Sequence, residues 1–318
     1  MPTKPTWIND RLIDLAGVGT QHWPERTLFV VATPIGNLAD ISLRALWVLA
    51  HVDAIAAEDT RVTRTLLQRF AIDTPLLAAH QHNEQAAAAH IVERLQAGAR
   101  IALVTDAGTP GVSDPGAIVV RKVAAAGLPV VPVPGASSVL AALSAAGLAD
   151  GTVSFRGFPP TGTQARAAWL EAAAQDGSAF VLLEAPHRVA ATLGELAKLL
   201  APQRRVIIAR ELTKRFETIV VTTAQELAAV LERLEPRGEY VLVVDTMPAE
   251  PRLRTIDAAT RAWLVALARE LPASRAAAVA AKATGLPREL LYAALGKSNG
   301  GKSNDVKDSG GKDGDETR

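Results

Sequence analysis

From residue 27 to residue 147 the chain alternates short apolar runs with alanine-rich stretches of helical period. The runs at 27–32, 53–57, 75–79, 100–105 and 129–133 read as strands. The stretches at 41–50, 61–70, 84–96, 117–126 and 137–146 read as helices, with Gly98, Gly127 and Gly147 as stops. A helix between every pair of strands leaves one economical arrangement, a parallel sheet covered on both faces. Five βα units of this kind predict an α/β domain over 27–148.

The rhythm changes after 147–151. Strands are expected at 154–158, 179–183, 205–210, 217–222 and 240–245. Helices are expected at 164–174, 187–200 and 224–234. The link between 210 and 217 is too short for a crossover, so those two strands form an antiparallel pair. A second, mixed-sheet α/β domain over 149–248 follows. Residues 256–270, 274–283 and 287–295 read as helices, the last with proline at its start. The tract 252–296 holds seven Lys/Arg against three Asp/Glu and is locally basic. Residues 1–26 form an N-terminal extension, and 297–318, mostly Gly, Ser, Asn, Asp and Lys, are expected to be disordered.

Composition narrows the function classes. The 318 residues are 48% hydrophobic with a net charge of +1, so any nucleic-acid binding rests on a local patch. With no cysteine there is no disulfide, thiolate zinc site or cysteine nucleophile, which fits a cytoplasmic protein. No signal peptide is visible and no stretch reads as a membrane helix, since prolines and glycines break up 123–149. The tail stretch GKSNGGKS (296–303) fits a phosphate-loop pattern but lacks the preceding strand and following helix that the mechanism needs.

Three loops rich in Gly, Pro, Asp and Ser follow strands at the same end of the first sheet. They are TPIGNLAD (33–40), TDAGTPGVSDPG (105–116) and PGASS (134–138). Ligands of open parallel sheets bind outside the carboxyl ends of the strands, so the three together define a ligand crevice. No G-x-G-x-x-G follows the first strand, so the dinucleotide fingerprint is absent. His80 and His82 in HQHNE read as hydrogen-bonding groups at a strand end, and no metal is expected.

The motifs VVATPIGNLADISLRAL, AAEDTRVTRTLL, HQHNE, LVTDAGTPGVSDPG and VPVPGASS, then FRGFPP, EAPHR and ARELTKRFE, occur in order from about residue 27. In this series the chain resembles the tetrapyrrole methylase superfamily. It is most similar to the branch that methylates a ribose 2′-oxygen of a cytidine in the decoding region of 16S rRNA. GLPRELLYAAL (285–295) resembles that branch's C-terminal helix-turn-helix appendage. Ala136 and Ala185 depart from the residues common in the family at those places.

The resemblance implies two α/β domains with S-adenosyl-L-methionine folded in the cleft between them. It also implies a homodimer acting on 16S rRNA in the small ribosomal subunit. In this sequence it points to Pro34, Gly36, Asp106, Gly108, Thr109, Pro110, Ser113, Asp114, Pro134, Gly135 and Ser137 for the cofactor. From the second domain it adds Phe158, Glu184, Arg210 and Glu211, with Glu184, His187, Arg210 and Glu211 expected to face the cleft. A ribose hydroxyl is a poor nucleophile, so a base or positioning donor helps. Glu58, Asp59, Arg61, His82, Glu84, His187 and Lys214 are the candidates, and the choice stays open. Arg61, Arg64, Arg188 and Lys214 suit RNA phosphates. Two other readings stand beside this one: a corrin-precursor methylase on the same fold, and a non-catalytic ribosome-binding protein.

Overall fold

The computed structural model describes residues 10–80, 83–148, 151–247, 256 and 258–296. The chain divides after residue 248 into two compact units. The first opens with α1 (Asp10–Leu15). Then come β1 (Leu28–Val31), α2 (Leu43–His51), β2 (Ala54–Ala57), α3 (Thr60–Arg69), β3 (Leu76–Ala78) and α4 (Glu84–Gln96). The series continues with β4 (Ile101–Val104), α5 (Ala117–Ala125), β5 (Val130–Val133) and α6 (Ser138–Ala146). The strands pair in the order β3-β2-β4-β1-β5, all parallel.

Strands β2 and β4, AIAA and IALV, are buried at every residue, as a sheet covered on both faces requires. On one face Phe29, Val31, Ile55 and Ala102 pack with Leu46 and Leu49 of α2 and Leu67 of α3. On the other, Leu28, Ala56 and Leu103 meet Ile91 and Leu95 of α4 and Val119 and Val123 of α5. Helices α2 and α3 begin where the sequence supplies a cap: Ser42 accepts from Ala45 N and Asp59 from Arg61 N. Helix α6 ends at Gly147 in the left-handed conformation.

The same unit holds a second sheet. It comprises β6 (Val153–Phe155), α7 (Thr163–Gln175), β7 (Ala179–Glu184), α8 (Val189–Leu199), β8 (Arg205–Arg210), β9 (Thr218–Thr223), α9 (Leu227–Leu231) and β10 (Tyr240–Val244). The order is β6-β7-β10-β8-β9, parallel only between β6 and β7. The expected antiparallel pair is β8–β9. The helix expected at 224–234 is shorter, a 3-10 turn at Ala224–Glu226 followed by α9.

The two sheets share a core. Val181, Ile207, Ala209, Val241 and Val243 of the second pack against Val139, Ala142 and Ala146 of α6 and Ile35 of the loop after β1. Arg205 fixes the joint by donating to Ala146 O at 3.1 Å and Gly147 O at 2.9 Å, placing a cation at the carboxyl end of α6. The opposite face, with Phe180, Leu182, Ile208, Tyr240 and Leu242, packs on α7, α8 and α9. Arg204, 1% exposed, lies at its rim and donates to three carbonyls, of Asp245, Ala174 and Ser178.

The second unit contains α10 (Ala258–Glu270), α11 (Ala273–Thr284) and α12 (Arg288–Gly296). They close on Leu264, Ala276, Ala277, Ala280, Leu291 and Leu295. Alanines on α11 let its neighbours approach closely, and Gly285 at φ 69° turns the chain from α11 toward α12. No helix among the described residues is long and apolar enough to cross a membrane. Of GKSNGGKS only Gly296 is described, at the end of α12.

Candidate functional site

The carboxyl ends of the first sheet's strands gather the polar loops. The loops after β1 and β4 are locked together: Thr33 N donates to Gly108 O at 2.8 Å and Gly108 N to Thr33 O at 3.0 Å. The buried Thr33 hydroxyl donates to Thr105 O at 3.1 Å. Gly108 holds φ 83°, a conformation that favours glycine. Thr109 Oγ1 donates to Ala136 O at 3.1 Å, tying in the loop after β5. In that loop a Cβ on Gly135 would lie 2.9 Å from the Ala32 Cβ, so only glycine lets the two strand ends pack. Ser137 caps α6 by accepting from Leu140 N at 3.4 Å. Gly36, Ser113 and Pro134 are exposed, Pro34 and Asp114 half-buried, and Pro110 buried.

Carboxylates join β2 to β4. Glu58 Oε2 accepts the Thr105 hydroxyl at 2.6 Å, and Asp106 Oδ1 accepts Asp59 N at 3.1 Å. Hydrogen bonding from Arg61, at 2.6 Å, lowers the Asp59 pKa to about 2. Burial raises Asp106 and Asp114 above the ordinary carboxylate value, and repulsion from Glu58 adds to the rise. A cation entering between them would relieve that repulsion.

The second sheet contributes the loop between β8 and β9. Glu211 and Thr213 hold φ 52° and 67°, strained for residues with side chains. The strain brings Lys214 Nζ to 2.8 Å from Glu211 Oε1 and 3.2 Å from Glu239 Oε2. Burial opposes the ammonium, but hydrogen bonds and charge from the two carboxylates outweigh it and raise its pKa. Hydrogen bonding from Lys214 in turn lowers Glu211. The Lys214 stem lies over Gly36, where an added Cβ would come 2.8 Å from Cε. This contact brings the second sheet to the crevice.

The geometry sorts the remaining candidates. His187 is exposed in the turn between β7 and α8, and Phe158, 54% exposed, follows β6 at the same end of the second sheet. His82 lies outside the described residues. Glu84 is buried and caps α5, with Oε1 accepting Gly116 N at 2.8 Å and Ile118 N at 2.9 Å. Arg61 and Arg64 stand exposed on α3. Asp59, held strongly acidic, and Lys214, held charged, are both poor proton acceptors.

Three expectations are corrected. Glu184 and Arg210 were expected to face the cleft, yet Tyr240 is the register partner of both. Tyr240 belongs to the core under α7–α9, so both side chains share that face, away from α6. Glu184 accepts the Thr192 hydroxyl at 2.6 Å there, and Arg210 donates to Arg237 O at 2.8 Å. Arg188 was expected to meet phosphate. Instead it pairs with Glu184 at 3.1 Å and donates to Pro159 O at 2.6 Å, 15% exposed. The alternation of strand side chains decides the first two, because a one-residue difference in phase exchanges the faces, whereas Arg188 stands just before α8, where it reaches Glu184 and Pro159 O.

Sequence reasoning missed Thr33, Thr105 and Glu239. Thr105 follows directly on β4 and Thr33 follows β1 after one intervening residue, a repeated signal open to reading. Glu239 reaches Glu211 and Lys214 across the sheet and leaves no local mark.

Residues 27–228 match the family profile of Tetrapyrrole (Corrin/Porphyrin) Methylases. Among solved structures, the methyltransferase CobJ superposes with TM-score 0.51 at 22% identity, over 69% of this chain and 93% of its own. A diphthine synthase superposes with TM-score 0.52 at 14% identity, over 69% and 90%. The fold and its paired sheets are therefore those of a tetrapyrrole methylase. Residues 254–297, which include α10 to α12, match the RsmI C-terminal HTH domain. Ribosomal RNA small subunit methyltransferase I of Pseudomonas aeruginosa is 45% identical over 84% of this chain and 95% of its own. The protein of that name from Neisseria meningitidis serogroup B is 46% identical over 84% and 91%. The chain belongs to the ribosomal RNA small subunit methyltransferase I family within the tetrapyrrole methylases.

Proposed function

We propose that the chain is an S-adenosyl-L-methionine-dependent methyltransferase of small-subunit rRNA, acting on the ribose 2′-oxygen of a cytidine in the 16S decoding region. The observation that carries the reading is the match over more than four-fifths of the chain to relatives named for small-subunit rRNA methylation. The matching C-terminal helical domain supports it further.

The crevice fits the cofactor. Asp106 and Asp114, raised by burial and by repulsion from Glu58, suit a ligand bearing a sulfonium and an ammonium. Gly108 and Gly135 let the loops after β4 and β5 pack tightly against their neighbours and so fix the shape of the crevice. When bound, S-adenosyl-L-methionine supplies a methyl group on a positively charged sulfur. The chain's contribution is orientation and electrostatics. Asp106, Thr109, Ser113, Asp114 and Ser137 would hold the cofactor, with Phe158 packing on it, while Arg61 and Arg64 would meet RNA phosphate. Glu58 and His187 remain as groups to take or steer the hydroxyl proton. A homodimer, which the superfamily resemblance implies, is part of this reading.

The test is methyl transfer from labelled cofactor to small subunits lacking the modification and to naked 16S rRNA, with the label located by nucleoside mass spectrometry. Label on a cytidine 2′-oxygen is the expected result. Cofactor binding without label on either RNA would overturn the rRNA assignment, and label on a corrin precursor would replace it.

A further inference from the structure

The chain has six phenylalanines, and only Phe158 and Phe216 are strongly exposed. Phe216 is the more exposed, at 65%, and it lies two residues beyond Lys214 in the loop between β8 and β9. That loop is built to hold its shape. Glu211 and Thr213 sit at positive φ, Lys214 N donates to Glu211 O at 3.0 Å, and the Glu217 carboxylate accepts Thr213 N. A rigid, strained turn that keeps an aromatic ring in water works against folding, and such strain concentrates at sites of use.

The charge around the ring selects its partner. The Arg215 guanidinium lies 5.6 Å from the Phe216 ring centroid. Among the described residues no carboxylate pairs with Arg215, whereas Lys214 is neutralised by Glu211 and Glu239. An exposed ring beside an unspent cation matches a nucleotide: the base stacks on the aromatic face and its phosphate meets the guanidinium. The Lys214 contact with Gly36 puts this pair beside the crevice.

Resting on the function proposed above, we propose that Phe216 and Arg215 form a stacking platform for one unpaired base of the RNA strand, adjacent to the methylated nucleotide. Sequence-specific RNA recognition targets splayed-out bases stacked on aromatic side chains, and a platform beside the methylated nucleotide would fix the strand's register there.

The test compares wild type, Phe216→Ala, Phe216→Leu, Phe216→Trp and Arg215→Ala on unmethylated small subunits. Wild-type transfer is measured first; its absence would overturn the rRNA assignment and this inference with it. Given transfer, Phe216→Ala is expected to raise KM for the subunit about 5- to 150-fold, the range of one base stack. The Kd for S-adenosyl-L-methionine and kcat are expected to hold. Phe216→Trp is expected to keep the wild-type KM and Phe216→Leu to lose most of the effect. Arg215→Ala is expected to flatten the salt dependence of RNA binding by about 0.7 in log–log slope. A KM within twofold of wild type for Phe216→Ala, or full rescue by leucine, would overturn the platform. A change in oligomeric state with unchanged KM would assign this surface to a second copy of the chain instead.

Discussion

Lys214 lies across the α-carbon of Gly36, and this contact joins the second sheet to the loop after β1. Gly36 has φ 155°, and an added Cβ would come within 2.8 Å of Lys214 Cε. Gly36→Ala is therefore expected to destabilise the protein by about 1–3 kcal/mol, the range for a strained backbone residue. The double variant Gly36→Ala, Lys214→Ala should recover part of that loss, because the shortened side chain removes the collision. Thermal unfolding of the four proteins of the cycle measures the coupling, and strict additivity would contradict the contact.

Glu84 holds the first turn of α5 through the Gly116 and Ile118 amides. Glu84→Ala leaves two amide donors unpaired beneath the 105–116 loop and is expected to cost about 1–3 kcal/mol. Glu84→Gln retains an acceptor and should cost less. Urea unfolding separates the two variants.

Asp106 and Asp114 give a pH signature. Their folded pKa values lie above the ordinary 3.8, so the folded state keeps protons that the unfolded chain releases. Each group opposes folding increasingly as pH rises through the window upward from 3.8, and the penalty vanishes below it. Asp106→Asn and Asp114→Asn are expected to raise Tm at neutral pH and flatten its slope in that window. The same variants should weaken binding of a cationic cofactor, and wild-type binding should tighten as pH rises through the window. Tm and calorimetric Kd across pH check both signs.

Arg204 donates to three carbonyls from a site 1% exposed. Arg204→Met strands those carbonyls and is expected to cost about 3 kcal/mol or more, from about 1–3 kcal/mol for each group left unsatisfied. Arg204→Lys should fall between, since one ammonium does not reproduce the planar fork. Denaturant midpoints rank the three proteins.

The order of strands and helices was legible because each apolar run is short, helices such as α2, α3 and α6 have a polar start and several end at glycine. The crevice was legible for a related reason: Gly, Pro, Asp and Ser cluster after strands at one end of a parallel sheet. The phase of the second sheet was harder to read. Glu184 and Arg210 close strands that are apolar on both faces, so hydrophobicity gave no clue to which face they share. Arg188 looked available because the partners that hold it, the Glu184 carboxylate and the Pro159 carbonyl, lie on different elements. Lys214 was singled out, but its raised pKa depends on Glu239, which only the fold brings near.

Strand β4 lies at the middle of the first sheet, and the loop that follows it bonds to the neighbours after β1, β2 and β5. A change in the length of 105–116 must therefore be matched in three other loops at once. At the opposite end of the sheet, a side chain added at Gly98 or Gly127 would meet nothing within 4 Å. Natural or engineered insertions should accumulate at those αβ turns, and reporter domains or new termini belong there.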